Sequence, residues 1–322
     1  LLACEDPQIN KEIKELAHQI KLAYYGNRIV LFAPLYLSNY CVNGCLYCPY
    51  HAKNRTIPRR KLTQEEIRDE VVALQDMGHK RLAIEAGEDP KHNPIEYILE
   101  SMETIYSIRH RNGAIRRVNV NIAATTVEEY RMLKEAEIGT YILFQETYNK
   151  KGYQELHPTG PKSNYDWHTE AMDRAMEGGI DDVGLGVLFE KIIALIRITV
   201  PYTGIIISTR EGELVREHAL QYGVSQISGG SRTSVGGYNE PERPHDTEQF
   251  DVSDQRTLDE VISWLMDNNH IPSFCTACYR AGRTGDRFMN FCKNGEILNY
   301  CHPNALMTLT EYLADYATPE TK

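Results

Sequence analysis

The chain has 322 residues, 42% of them hydrophobic and 25% charged, and a formal net charge of −10. That balance fits a soluble globular protein, long enough for one large α/β barrel and a small extra module. It argues against a broad basic footprint for nucleic acid, and no apolar run of about 18 residues is present to span a membrane.

The chain opens on LLACEDPQ, with neither a starting Met nor a charged-then-apolar leader, and reads as trimmed at its N-terminus. Residues 8–24 fit an amphipathic helix. Strand-like runs follow at 29–37, 81–87, 117–124, 140–147, 181–189, 204–209 and 224–229. Helical periods such as TQEEIRDEVVALQDMG and PIEYILESMETIYSIRH lie between most of them. Alternation of this kind, with nearly continuous apolar strands, indicates a parallel sheet covered by helices. At this length its closed form is a TIM-type (β/α)8 barrel.

The strand candidates number seven. In GVLFEKIIALIRITVPYTG, strand-like residues run into helix-like ones with no turn residues between Phe189 and Glu190. One reading is a lost segment at that join, able to hold the eighth strand; the other is a seven-stranded open barrel. Residues 236–254, rich in Gly, Pro and charge, read as a linker. A helix at TLDEVISWLMDNN and a final one at NALMTLTEYLADYA follow, with Pro303 placed near the last helix's first turn. The expected division is 1–28, an N-terminal helical extension; 29–240, the barrel; and 241–322, a C-terminal helical domain.

Six of the eight cysteines fall in two tight groups. In a long chain without a secretory signal this favours metal binding in a reducing, cytoplasmic setting over disulfides. Cys41, Cys45 and Cys48 follow the first strand, at the barrel mouth where active sites lie, and Gly44 allows a tight loop there. Three thiolates on a [4Fe–4S] cube leave one iron open, whereas a structural zinc knuckle would have to borrow a distant fourth ligand. The second group holds Cys275, Cys278, Cys292 and Cys301, and by number suits a zinc ribbon or a closed cluster.

Cys-x3-Cys-x2-Cys with Tyr47 before the third cysteine resembles the cluster loop of the radical S-adenosylmethionine (SAM) enzymes. In that family SAM chelates the open iron, and an electron from the cluster cleaves it to an adenosyl radical. The resemblance implies SAM contacts at Tyr47, at the Ala86-Gly87-Glu88 turn, where the family has Gly before Gly-Glu, at Asn119 and Asn121 on one face of the third strand, and at Glu146. Each also has a structural alternative: a simple turn, or a buried polar network.

DMGHKRLAIEAGEDP, RRVNVNIAATT, HPTGPK, SQISGGSRTSVGGY and Cys278-x22-Cys301 extend the likeness over the whole chain, to the members of that family that mature [FeFe]-hydrogenase. Their activity implies L-tyrosine as substrate, cleaved to p-cresol and dehydroglycine, and then CO and cyanide on iron. It implies a second, auxiliary iron–sulfur cluster on Cys275, Cys278 and Cys301 carrying a labile extra iron, and leaves Cys4 and Cys292 as ordinary thiols. Ser208 and Arg210 match the tyrosine-binding residues, and Arg210 can grip a carboxylate bidentately or pair with Glu211. Ser228 and Arg232 end the last strand and suit SAM or substrate. Ferredoxin or flavodoxin as reductant and the other hydrogenase maturases are the implied partners. Two further readings remain: a tyrosine lyase of thiamine thiazole synthesis, against which the C-terminal triad speaks, and a non-enzymatic iron–sulfur scaffold.

Overall fold

The computed structural model describes residues 1–185, 190–240, 247–280 and 285–322. The expected break between Phe189 and Glu190 lies outside the described residues. Eight strands are present among them: β1 (Arg28–Ser38), β2 (Arg81–Ala86), β3 (Arg117–Asn121), β4 (Tyr141–Leu143), β5 (Val183–Leu185), β6 (Ile206–Ile207), β7 (Gln226–Ser228) and β8 (Ile271–Ser273). Two compact units divide the chain. One comprises Ala33–Gly186 and Arg232–Asp251; the other comprises Leu1–Phe32, Val187–Ser231 and Val252–Lys322. β1 therefore gives its second half to the first unit and its first half to the second.

In the first unit β1, β2, β3, β4 and β5 pair in that order, all parallel, with Leu35 opposite Ile84 and Ala83 opposite Asn119. β1 is buried almost throughout, as a parallel strand covered on both faces must be. The helices Gln64–Asp76 and Val127–Glu135 both begin with a capping box, Thr63 with Glu66 and Thr126 with Glu129, which satisfies the first free amides of each. Their inner faces close a core around Leu35, Leu37, Val71, Leu74, Ile84 and Val120.

The stretch 236–254, expected to be a linker, is instead anchored where it is described. The amides of Tyr238 and Asn239 donate to the buried Glu70 carboxylate at 2.9 and 2.8 Å, and the Tyr238 hydroxyl donates to the Pro34 carbonyl at 2.8 Å. Further on, the Thr247 carbonyl accepts from the Tyr50 hydroxyl at 2.9 Å. Polar composition suggested a loose tether, but these groups satisfy buried partners far away in sequence.

In the second unit the first half of β1 pairs in parallel with β7, which pairs with β6, and also with β8. β8 is thus an eighth strand that the sequence reading did not find. It is three residues long and contains Pro272, which cannot donate to a ladder, so it carries no strand-like pattern. The helix Pro7–Tyr25 packs on the helices Glu190–Thr199 and Glu213–Tyr222 of this unit. Arg197, fully buried there, donates to the carbonyls of Pro201, Thr203 and Gly223 and lies under the Tyr25 ring. The last helix runs Ile297–Asp315, so Pro303 lies inside it and not at its first turn.

Candidate metal centres

The first cysteine group leaves the end of β1 directly, and its shape is set by main-chain bonds. Val42 N donates to Glu88 O at 2.8 Å, Gly44 N to Thr159 O at 2.9 Å, and Leu46 N to Leu156 O at 3.0 Å. Arg59 gathers the carbonyls of Asn39, Tyr50 and His51 at 2.6, 2.9 and 2.8 Å. Gly87, just past β2, must be glycine: a Cβ there would collide with the Tyr40 carbonyl and meet the Cys41 Cβ at 3.0 Å. The Ala-Gly-Glu turn therefore lies directly against the cysteine loop.

Burial pushes the Cys41 thiol above its ordinary value and the Cys45 thiol up to about 11. Left alone these groups stay protonated; a bound metal would hold them as thiolates. Donors already point at the sulfurs: Asn43 Nδ2 stands 3.8 Å from Cys41 Sγ, and Gln249 Nε2 stands 3.8 Å from Cys48 Sγ. Amide donors at sulfur are what an iron–sulfur centre uses to spread its negative charge. Among the described residues no three His, Cys, Asp or Glu side chains gather tightly enough to hold one metal ion. The three thiols share one loop, and two of them carry the side-chain amide donors that suit a cluster's sulfurs. The residues present fit a cluster.

Tyr47, Ala86, Gly87, Glu88, Asn119, Asn121 and Glu146, expected to contact SAM, are all in this first unit. Glu88 is half-buried, and its carboxylate accepts from Asn43 Nδ2 at 2.6 Å; desolvation raises it above the usual carboxylate range. Asn119 and Asn121 share a face of β3, as expected. Asn119 Oδ1 accepts from the Thr140 amide at 3.0 Å, and Asn121 Nδ2 donates to Glu85. Glu146 lies three residues beyond the end of β4, where a longer strand was expected. Burial would raise it, but a hydrogen bond from His157, the Lys162 charge and the Tyr47 hydroxyl together hold it at about 2. The Tyr47 hydroxyl donates to Glu146 at 2.5 Å, while Tyr47 as a whole stays 48% exposed. Sequence reasoning missed Asn43, His157, Lys162 and Gln249. HPTGPK, conspicuous for a His and a Lys flanking two prolines, was the available signal for two of them.

The second cysteine group lies in the second unit. Cys275 and Cys278 follow β8 as directly as the first group follows β1. Cys278, Cys292 and Cys301 are buried together with Ile297, against Tyr202, Phe288 and Phe291. The hydrogen bond between the Cys278 and Cys301 side chains, followed by burial, pushes Cys301 far above its ordinary value. Cys292, set aside from the sequence as an ordinary thiol, shares this cluster and is pushed up to about 11 by burial. His302 lies on the last helix beside Cys301 and is exposed.

Ser208 and Arg210 follow β6 directly, and Ser208 Oγ accepts from the Arg210 amide at 3.4 Å. Ser228, at the end of β7, is 1% exposed, and its hydroxyl accepts from the Thr209 amide at 3.1 Å, tying the ends of β6 and β7 together. These three residues lie in the second unit. Arg232 lies in the first and is exposed.

Comparison with known proteins identifies these elements. A model of the Radical SAM superfamily matches residues 35–194, and one of the Biotin and Thiamin Synthesis associated domain matches residues 180–271. The chain is 26% identical over 307 residues to the 2-iminoacetate synthase of Salmonella typhimurium, covering 79% of each. It is 37% identical to the crystal structure of the FeFe-hydrogenase maturase HydG from Carboxydothermus hydrogenoformans, with a TM-score of 0.85, over 99% of this chain and 81% of that one. A second HydG structure, described as a maturase of the [FeFe]-hydrogenase, is 48% identical at a TM-score of 0.95, again over 99% of this chain and 81% of that one. The fold is thus the (β/α) barrel of the radical SAM enzymes, whose cofactors are SAM and a [4Fe–4S] cluster, and the chain belongs to the HydG family of [FeFe]-hydrogenase maturases.

Proposed function

We propose that this protein is a radical SAM lyase that cleaves the Cα–Cβ bond of L-tyrosine to p-cresol and dehydroglycine. The fragment then yields CO and cyanide on iron for the [FeFe]-hydrogenase active site. The observation that carries the reading is whole-chain likeness to HydG at 48% identity together with both cysteine groups, each placed just after a strand.

When bound, the cluster and SAM supply one low-potential electron and a carbon radical able to take a hydrogen atom; the protein's part is binding, orientation and exclusion of water. Cys41, Cys45 and Cys48 hold the cluster. The Gly87–Glu88 turn and Glu146 take the polar groups of SAM, with Tyr47 against its rings and Asn119 and Asn121 on the strand between. Ser208 and Arg210 hold the tyrosine carboxylate, and Ser228 and Arg232 complete that region. Cys275, Cys278 and Cys301 hold the auxiliary cluster with its extra iron. The working division is 1–28, 29–240 and 241–322, with the auxiliary site in the last part. A ferredoxin or flavodoxin supplies the electron in the cytoplasm, and the other maturases take the product. Among the described residues no helix is long and apolar enough to cross a membrane.

The test is anaerobic incubation of the reduced, iron-reconstituted protein with SAM and tyrosine. CO together with p-cresol is the expected result. p-Cresol without CO would assign the chain to thiazole synthesis, and no turnover would leave an iron–sulfur scaffold.

A further inference from the structure

HPTGPK, residues 157–162, has no part in the chemistry above, yet it brackets the first cysteine loop. Its neighbour Leu156 and its own Thr159 give carbonyls to Leu46 and Gly44, and the Lys162 amide donates to Asn43 Oδ1 at 2.9 Å. Asn43 in turn places its Nδ2 between Glu88 and Cys41. The approach is too close for side chains. A Cβ on Gly44 would collide with Thr159 Oγ1, and one on Gly160, at φ +93°, would meet the Asn43 Cα at 2.7 Å. At the end of this bracket the Lys162 ammonium lies 2.9 Å from Glu146 Oε1 and 3.2 Å from the Tyr47 hydroxyl. His157 Nε2 closes the group, 2.9 Å from that hydroxyl, while its Nδ1 faces the Tyr153 carbonyl at 2.8 Å. Lys162 and Glu146 are mostly shielded, with side chains 16% and 20% exposed.

We propose that Lys162 is a positioning residue of the cysteine loop, and that its ammonium is a fixed positive charge that sets how readily the iron–sulfur centre of that loop accepts an electron. The proposal rests on the reading of Cys41, Cys45 and Cys48 as cluster ligands. Tyr47 stands between Cys45 and Cys48, so a charge locked to its hydroxyl is locked to the loop. Adding an electron adds negative charge to the centre, and a shielded cation stabilises that state more than a solvated one does. Without Lys162 the Glu146 carboxylate would keep its bonds from Tyr47 and His157 but lose the ammonium beside it, and the centre would be harder to reduce. Without the Glu146 charge it would be easier.

The experiment is a reductive titration of the anaerobically reconstituted full chain. It is followed by electron paramagnetic resonance at the signal that changes on addition of SAM, and so belongs to the first centre. The expected results are a more negative midpoint for Lys162→Met, an unchanged one for Lys162→Arg and a more positive one for Glu146→Gln. Equal midpoints in wild type, Lys162→Met and Glu146→Gln would overturn the proposal. So would a shift in Lys162→Arg as large as that in Lys162→Met, which would assign the effect to shape. Should Lys162→Met bind no iron, Glu146→Gln decides: a positive shift supports the proposal and an unchanged midpoint overturns it. Full iron content in a chain with Cys41, Cys45 and Cys48 all changed to Ala would instead refute the ligand reading on which it rests.

Discussion

Arg216 and Asp254 form an ion pair from which water is excluded, with side chains 0% and 2% exposed. The pair belongs to a brace. Arg216 also donates to the Ser228 carbonyl at the end of β7, and the amides of Ser253 and Asp254 both donate to the Thr209 carbonyl, just past β6, at 2.9 and 3.1 Å. Arg256 binds Asp254 from its other side and stacks over Trp264 at 4.2 Å. The strand ends proposed to hold tyrosine are thus tied together from behind by one carboxylate.

Removing that carboxylate strands a buried guanidinium. Asp254→Ala is expected to lose about 3–5 kcal/mol of unfolding free energy, the usual cost of breaking a buried pair. Burial raises Asp254, but Arg256 and Arg216 outweigh it and hold the carboxyl below its ordinary value. Its contribution is therefore complete above the unfolded carboxylate pKa of about 3.9 and is lost as pH falls through the lower folded value. Denaturant unfolding at pH 7 checks the size. A difference near zero between wild type and variant would show that the brace does not hold the unit.

Lys21 predicts a pH trend of the same sign in a higher window. It is fully buried on the helix Pro7–Tyr25, donates to the Leu220 carbonyl, and is pushed down to about 7 by burial and then by Arg197. A lysine whose folded pKa lies below its unfolded value of about 10.4 costs stability while it is charged, and the cost declines with rising pH wherever the unfolded chain binds more protons. That cost is full below about 7 and fades as pH climbs toward the unfolded value. The wild type should therefore gain stability between pH 7 and 9.5 relative to Lys21→Met. Parallel pH profiles of the two proteins in urea would show that Lys21 stays charged in the fold.

What the sequence made legible follows from how local each signal is. β1 declares itself because all its apolar residues are consecutive, and the helix Gln64–Asp76 because Thr63 and Glu66 write its start. β8 carries three residues, one of them Pro272, and exists only because the first half of β1 offers it a partner. The last helix begins seven positions before the expected Asn304, since a proline inside it costs one hydrogen bond that its packing tolerates. In the candidate site the cysteines drew attention by their spacing, a local signal, and the family resemblance gave them a role. His157 and Lys162 were not, because their partner Tyr47 lies 110 and 115 residues away, and no period links positions so distant.

Gly160 tests the bracket without touching any charge. Its φ of +93° and the approach of the Asn43 Cα and Val42 carbonyl leave no room for a methyl group. Gly160→Ala carries about 1–2 kcal/mol of backbone strain before any clash is counted. The change should lower iron bound at the first site and leave the second site loaded, read as separate Mössbauer components after reconstitution. Full loading of the first site would mean that the loop keeps its shape without HPTGPK.

The two iron sites should be separable by mutation. Cys275 and Cys278 belong to one compact unit, and Cys41, Cys45 and Cys48 to the other. The bonds that shape the first loop come from residues 59, 88, 156, 159 and 162, none of them near the second group in sequence or in its unit. Changing both Cys275 and Cys278 to Ala should therefore preserve SAM cleavage and p-cresol formation, and abolish CO and cyanide transfer to iron. Cys292 supplies the control. It is buried beside Cys278 and Cys301 but falls outside the Cys-x2-Cys-x22-Cys spacing. As a packing thiol it should tolerate Cys292→Ala with both clusters intact, at a cost of about 1 kcal/mol for the small cavity left behind. Loss of the auxiliary iron in that single variant would make Cys292 a fourth ligand. Loss of p-cresol in the Cys275→Ala, Cys278→Ala protein, in step with loss of CO, would show that the two centres work as one.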